Sequence, residues 1–595
     1  MNSLEPLDQL LAKLQAPAAS LPQLSFCDGS RDGAIKWIHS LPLTQIQFVG
    51  GLLYKALPEI SRLQTSVANR INLLEALRGP SSQIMEGLAK GFLNQPLILP
   101  EEAVKTATIA QALQKHLNTG YVVAIRDLCK ESSPKKHLLG LCLHRAIVGM
   151  GLQLLRYYQL YLPVPAKLWS DLHSLYQLAS RFAVLEEPIA ETLLHHQGCN
   201  TIKLAYTRVL LLASCRPNQL RQIEIGATYE ALNKLTQWAQ LSPHTGGRDH
   251  ELHVALDSSQ GPNSLSRLQD SDCQLLLAIQ TANVIKQLQA MDDKPDEPDT
   301  ASAQTASFAL THALTQHLIQ AWGPLSQRNL DRQATAGMLD ITVGISSIHY
   351  HLTGGTDFSD FLGNEQSQPV MRGIGSLFQN RVNPAKEPGK PQKPAAEIDP
   401  LDELDLPPEE ETKPAQNELY PIYKIPLIDT SPGGYCIEWR DAIPNQVKTG
   451  ELLGLLDPVR NYWSLGVVRW ANLSQGATQL GIQILAPQAT PVAVALLQNG
   501  GGYSEFLRAL EIPAISALNQ PKTLITNTVS FRERSKALIF HGYRGEEETS
   551  GNENIQLLER CFATGAFNQF IYQTLAPTTP QAAEKPTQFD PEWDA

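Results

Sequence analysis

Over roughly the first 240 residues the apolar positions recur with the period of a helix, segment after segment. Between Leu168 and Ala179, the side chains of Trp169, Leu172, Tyr176 and Ala179 fall on one helical face. Between Leu204 and Ala213, Tyr206, Val209, Leu210 and Ala213 do the same. The breaker Ser214-Cys215-Arg216-Pro217-Asn218 ends that helix, and the next presents Leu232, Leu235, Trp238 and Ala239 on its apolar face. Helices joined by short Pro-containing turns pair antiparallel. Residues 1–240 therefore read as an all-α array, solenoid-like or bundle-like, with no strict internal repeat.

The period then changes. Leu252, Val254 and Leu256 alternate as in a short strand. Helical stretches follow near 267–290 and 303–322, on either side of the polar break at Asp292-Asp293-Lys294-Pro295-Asp296. After Gly323-Pro324, residues 339–352 are rich in β-branched and aromatic types and predict a strand. From about 380 to 418 Pro, Glu, Asp, Lys and Ala dominate. Such a stretch buries too little apolar area to offset its ordering entropy and is expected to be disordered. Beyond residue 419 strands are predicted at 423–428, 434–439, 463–470 and 479–485, with further β sequence from about 521 to 576 and a Pro- and Glu-rich tail from Pro577. The predicted class is α+β multidomain. It comprises a helical platform (1–240), a helical extension with a short strand (241–322), a split antiparallel β-barrel (323–490), a β-rich segment (491–576) and a tail (577–595).

With 595 residues and 43% apolar content, several cored domains are affordable. A net charge of −11 argues against a binder of nucleic-acid polymers, while leaving room for a local basic site for one small anion. The N-terminus has no positive segment followed by an apolar run, and no stretch is expected to span a bilayer. The eight cysteines are scattered without a Cys-x-x-Cys pair, the pattern of reduced thiols in a cytoplasmic protein.

Two short motifs carry the candidate chemistry. The first is Arg328-x-x-x-Arg332; the second is Asp429-x-Ser431-x-x-Gly434. An arginine fork grips phosphate oxygens or the O6 and N7 edge of guanine, and its flat cation stacks on a base. A carboxylate such as Asp429 accepts from paired N–H donors, Ser431 is small and polar, and Gly434 permits a tight turn. Each motif alone has a bland reading, a solvated arginine pair and an ordinary Asx-type hairpin turn.

Together, in that order and each leading into strand-like sequence, they resemble the two halves of the cyclic di-GMP site of PilZ domains. On that resemblance residues 338–351 would be the first barrel strand and 423–439 the hairpin around the turn. Gly450-Glu-Leu-Leu-Gly-Leu-Leu and the strands at 463–470 and 479–485 would complete the barrel. The family places its motifs a few tens of residues apart, whereas 96 residues lie between Arg332 and Asp429. An insertion between the first and second barrel strands is therefore expected.

The resemblance implies a bacterial signalling receptor for cyclic di-GMP. It would do no chemistry on its ligand, use no further cofactor, and couple to an unknown protein partner through the helical platform. The alternative is an interaction scaffold whose barrel is degenerate and binds no nucleotide.

Other signals are weaker. Gly354-Gly-Thr-Asp-Phe358 has the acids in the wrong order for a diguanylate cyclase signature and reads as a hairpin loop after the first barrel strand. His195-His196 with Cys199 lacks the spacing of a structural zinc site and reads as a helix end before Gly198. His349 and His351 would share one face of a strand. No nucleophile triad, P-loop or paired-carboxylate arrangement stands in a convincing context, and neither a metal site nor catalysis is expected.

Overall fold

The computed structural model describes residues 4–244, 252–269, 275–292, 310–324, 333–335, 337–363, 419–440, 442–457, 462–474, 476–498, 502–514, 521–544, 547–548 and 552–575. The acidic insertion expected at 380–418 and the tail from Pro577 lie outside these residues. Contact density divides the chain into two compact units. One comprises Met1–Met338, Ile425–Glu451 and Val467–Ile484; the other comprises Leu339–Lys424, Leu452–Gly466 and Leu485–Ala595.

In the first unit the N-terminal helices pack around Lys136–Gln159, most of which is buried, and the C-terminal half of its partner Glu101–Lys130, whose first turns carry exposed charge. Capping follows local chemistry. Ser30, Ser66 and Thr201 each accept a backbone N–H three residues on, from Gly33, Asn69 and Leu204, satisfying donors that a helix start leaves open. Inside the array Glu191 receives Arg78 at 2.8 Å and Arg145 at 2.9 Å, and Arg145 also reaches Glu75. The charges thus enter the core paired, as burial demands.

Helix Lys136–Gln159 corrects one expectation. It is long and apolar enough to cross a bilayer by length and composition, yet most of it is covered by its neighbours. A central bundle helix, apolar on every face, meets the same criterion. The helix at Gln222–Leu235 also ends earlier than its pattern predicts. Trp238 falls in a 3-10 turn, Thr236–Trp238, and is exposed.

The segment 240–322 holds more sheet than expected. Four strands, β1 (Gln240–Pro243), β2 (Leu252–Ala255), β3 (Asn263–Ser264) and β4 (Leu276–Gln280), pair in the order β1-β4-β2-β3. β4 lies where a continuous helix was predicted. Its five residues, Leu-Leu-Ala-Ile-Gln, form an apolar run too short for periodicity to separate strand from helix. Helices Ala282–Asp292 and His312–Trp322 follow, and Trp322 is fixed by its indole N–H donating to the Leu211 carbonyl at 3.2 Å.

Seven further strands form one sheet: β5 (Gln333–Ala334), β6 (Met338–Val343), β7 (Tyr423–Ser431), β8 (Gly434–Trp439), β9 (Leu452–Asp457), β10 (Tyr462–Ser474) and β11 (Ala477–Ala486). Their order is β5-β7-β6-β9-β10-β11-β8, and β7 also pairs with β8. That extra pairing closes β6 to β11 into a six-stranded barrel, with β5 added along β7.

The first barrel strand is shorter than predicted. After Val343 the chain turns at Gly344, whose φ of +83° suits glycine, into helix Gly344–Leu352. Ile345, Ile348 and Leu352 recur at helical spacing, and β-branched content concealed that period. His349 and His351 therefore point to different sides of a helix. Gly354 and Gly355, at φ +73° and +90°, terminate that helix rather than a hairpin.

The C-terminal β sequence is a second closed barrel, in the second unit. Strands β12 (Thr490–Leu496), β13 (Leu507–Ile512), β14 (Thr523–Thr526) and β15 (Lys536–Phe540) are followed by the small pair β16 (Tyr543–Arg544) and β17 (Glu547–Glu548). β18 (Glu553–Ala563) and β19 (Asn568–Thr574) complete it. The closed order is β12-β13-β14-β19-β18-β15, around Val492, Leu524, Ile539, Leu557 and Phe570. Closure leaves no open sheet edge.

Candidate functional site

The Asp-x-Ser-x-x-Gly motif forms the hairpin joining β7 to β8. Asp429 faces Cys436 across the ladder, Thr430 faces Tyr435 and Ser431 faces Gly434, with a bulge between Leu427 and Asp429. A bulge re-aims the side chains that follow it, so the orientation of Asp429 and Ser431 is set locally. Ser431 Oγ donates to the Gly434 carbonyl at 3.3 Å.

Gly434 is required by a close approach. A Cβ there would lie 1.9 Å from the Ile482 carbonyl oxygen of β11, a backbone atom that cannot swing away. The register Gly434↔Gln483 and the bond from Ile484 N to the Gly433 carbonyl at 3.0 Å pin the turn against that strand.

Arg328 and Arg332 lie outside the described residues. The description resumes at Gln333, and there the geometry is informative. β5 pairs antiparallel with β7, in the register Gln333↔Thr430 and Ala334↔Asp429. Thr335 extends the contact: its N–H donates to the Ile428 carbonyl at 3.2 Å and its hydroxyl meets the Thr430 hydroxyl at 3.0 Å. Leu427 N donates to the Gly337 carbonyl at 2.9 Å.

The residue after the second arginine is therefore laid against the Asp-x-Ser motif, despite the 96 intervening positions. Arg332 immediately precedes the first residue of that ladder in sequence. The turn itself can present a carboxylate and a hydroxyl to a polar ligand. Sequence reading missed the roles of Gln333, Ala334, Thr335 and Thr430. A two-residue strand has no periodicity to detect, and the polar Gln-Ala-Thr run gave no other signal.

The remaining candidates sit elsewhere. His196 is buried, and burial together with the adjacent Arg208 pushes its pKa down to about 3, which holds it neutral. His195 Nδ1 lies 3.2 Å from Glu230, and Cys199 is buried with its thiol directed to the Leu232 carbonyl. His349, packed against Phe358 and Phe361, is likewise pushed down to about 3 by burial and Arg508. His351 stacks on Trp463 at 5.1 Å. In the C-terminal barrel Glu511, His541 and Glu553 bring potential ligand atoms within 4.8 Å of one another. The Lys522 ammonium stands there instead, 2.8 Å from Glu511 and 3.8 Å from Glu553, and supplies the counter-charge a metal ion would bring.

Comparison with known proteins covers nearly the whole chain. Residues 32–245 match the model of the N-terminal domain of the cyclic-di-GMP receptor FimW, residues 252–491 its middle PilZ domain, and residues 492–575 its C-terminal β-barrel domain. The curated cyclic-di-GMP receptor FimW of Pseudomonas aeruginosa is 32% identical over 587 residues, which cover 95% of this chain and 94% of that protein. No solved structure matches the chain.

Proposed function

Because the chain belongs to the family of FimW cyclic-di-GMP receptors, with a PilZ domain at its middle, we propose that it receives cyclic di-GMP at the β7–β8 turn and transmits occupancy to a protein partner through its helices. One observation carries the site: the pairing of Gln333 and Ala334 with Thr430 and Asp429. It supports the two halves of the motif acting together, although they are remote in sequence.

In this reading Arg328 and Arg332 clamp phosphate oxygens and stack on guanine. Asp429 accepts from N1 and N2 of a guanine, Ser431 bonds the base or a phosphate, and Gly434 keeps the turn close enough to β11 for both to reach. Binding gives the arginine segment a second reason to lie along β7. Transmission then follows from a difference in ligand affinity between the paired and unpaired arrangements. Reception requires no bond to be made or broken in the nucleotide.

Calorimetric titration of cyclic di-GMP into the full chain tests this. Binding is expected for the natural sequence. Arg328→Ala and Asp429→Ala are each expected to weaken it by about 10- to 150-fold, the range for losing a charge-assisted hydrogen bond. Absence of binding at tens of micromolar ligand, or unchanged affinity in both variants, would leave the barrel as a docking module.

A further inference from the structure

The helical array contains a cavity of about 270 Å³, remote in sequence from the β7–β8 turn and unused by the reading above. Its walls come from four helices, Val67–Ala89, Glu101–Lys130, Lys136–Gln159 and Gln222–Leu235, and from the turn at His195-His196. Leu152, Leu155, Ala110 and Met85 supply apolar wall, but the polar groups are the unusual part.

Gln111 lines the cavity with both its amide nitrogen and its amide oxygen buried and unpartnered. Buried side-chain amides are nearly always satisfied, so an amide left open on both atoms at a cavity wall calls for an occupant. Arg156 lines it too, bonded only to the Gln159 amide oxygen and, among the described residues, with no carboxylate within ion-pair distance. Glu86, an exposed acid that accepts from the Ser82 hydroxyl at 3.2 Å, also lines the cavity, and no ion pair joins it to Arg156. A second carboxylate, Glu230, stands at the wall beside His195.

A guanidinium with no ion-pair partner among the described residues, and two carboxylates lining the same cavity, fit a ligand carrying both charges. We propose that this cavity is a binding site for a free amino acid, with the ligand carboxylate on Arg156, its ammonium toward Glu86 and Glu230, and Gln111 bonding a polar side chain or the ligand backbone. Size agrees. At about 270 Å³ the cavity falls just below the roughly 300–1,000 Å³ of pockets for larger ligands. The site would give the receptor a second input, separate from the nucleotide.

The test uses the full chain and the twenty L-amino acids, each at millimolar concentration, with guanosine as an uncharged comparison bearing donors and acceptors. Thermal shift and calorimetry are expected to find one-to-one binding of at least one amino acid. Arg156→Gln and Glu86→Gln should each weaken that binding at least tenfold. Gln111→Leu should raise the melting temperature of the unliganded chain, by removing an unpartnered amide, while also weakening the ligand; it keeps the test open if Arg156→Gln fails to fold. A shift by no amino acid would mean that water alone fills the cavity. That result, binding that survives the substitutions at Arg156 and Glu86, or binding of guanosine in place of every amino acid, would overturn the proposal.

Discussion

His173 holds both of its ring nitrogens in use inside the helical array, one 2.7 Å from the Tyr206 hydroxyl and the other 2.8 Å from the Gln260 carbonyl. A carbonyl only accepts, so Nε2 carries the proton and Nδ1 accepts from Tyr206. Burial pushes this group down to about 4; it does the same to His144, and takes His196 to about 3. All three are therefore neutral in the folded chain at a pH where the unfolded chain, with an ordinary value near 6.5, already takes up protons. Their stabilising effect is full above about pH 6.5 and is lost as pH falls toward 4, because the unfolded state binds more protons in that window. The melting temperature should fall steeply between pH 6.5 and 4.5, each histidine contributing up to about 1.4 kcal/mol per pH unit. Replacing His173 by Asn should lower stability at pH 7 and flatten the acid limb, and a melting curve at each pH reads both. An unchanged slope would show that His173 titrates normally.

At the scale of elements, legibility in sequence depended on length and on turn chemistry. Asp429-Thr-Ser-Pro-Gly-Gly434 was readable as a hairpin because Pro and two Gly at fixed offsets leave the backbone few choices, and β7 and β8 flank it as expected. The long helices were readable because three or more turns repeat the same period. Short elements were not. Leu276–Gln280 was absorbed into a helix, and Gly344–Leu352 was absorbed into a strand because its β-branched side chains mask a helical repeat. β5 was invisible because its partner lies beyond the long insertion, and no local pattern encodes a pairing across such a distance.

That same element gives a test. Thr335 N donates to Ile428, so Thr335→Pro removes a donor from the β5–β7 ladder without touching the barrel core. Cyclic di-GMP affinity is expected to fall several-fold while the melting temperature moves by only a few degrees. A large loss of stability with affinity intact in the folded fraction would contradict the assignment.

For the whole molecule, the question is how a barrel tolerates an insertion between neighbouring motif halves. Within the second unit, the stubs on either side of residues 364–418 meet at one side chain. Arg508 of β13 lies 4.6 Å over the Phe358 ring and bonds the Tyr420 hydroxyl at 3.1 Å, while Tyr420 stacks on Tyr350 at 4.2 Å. With the stubs held together, the closure entropy of the intervening chain grows only with the logarithm of its length, about 0.6 kcal/mol per doubling. Replacing 364–418 by a short Gly-Ser linker should leave the melting temperature within a few degrees. Arg508→Ala should lower it more than the linker does. Differential scanning calorimetry of the two variants reads the comparison, and a linker variant that fails to fold would show that the segment contributes to the core.

Returning to β5, its brevity bears on how a measured dissociation constant would be interpreted. Three or so hydrogen bonds, each worth about 0.5–1.5 kcal/mol net, set against the ordering of the same residues, leave paired and unpaired forms within a few kcal/mol of each other. Apparent affinity is then the intrinsic affinity multiplied by the paired fraction. On the site proposed above, sequence changes at Gln333, Ala334 or Thr335 are expected to retune the nucleotide concentration that half-fills it without altering Arg328, Arg332, Asp429 or Ser431.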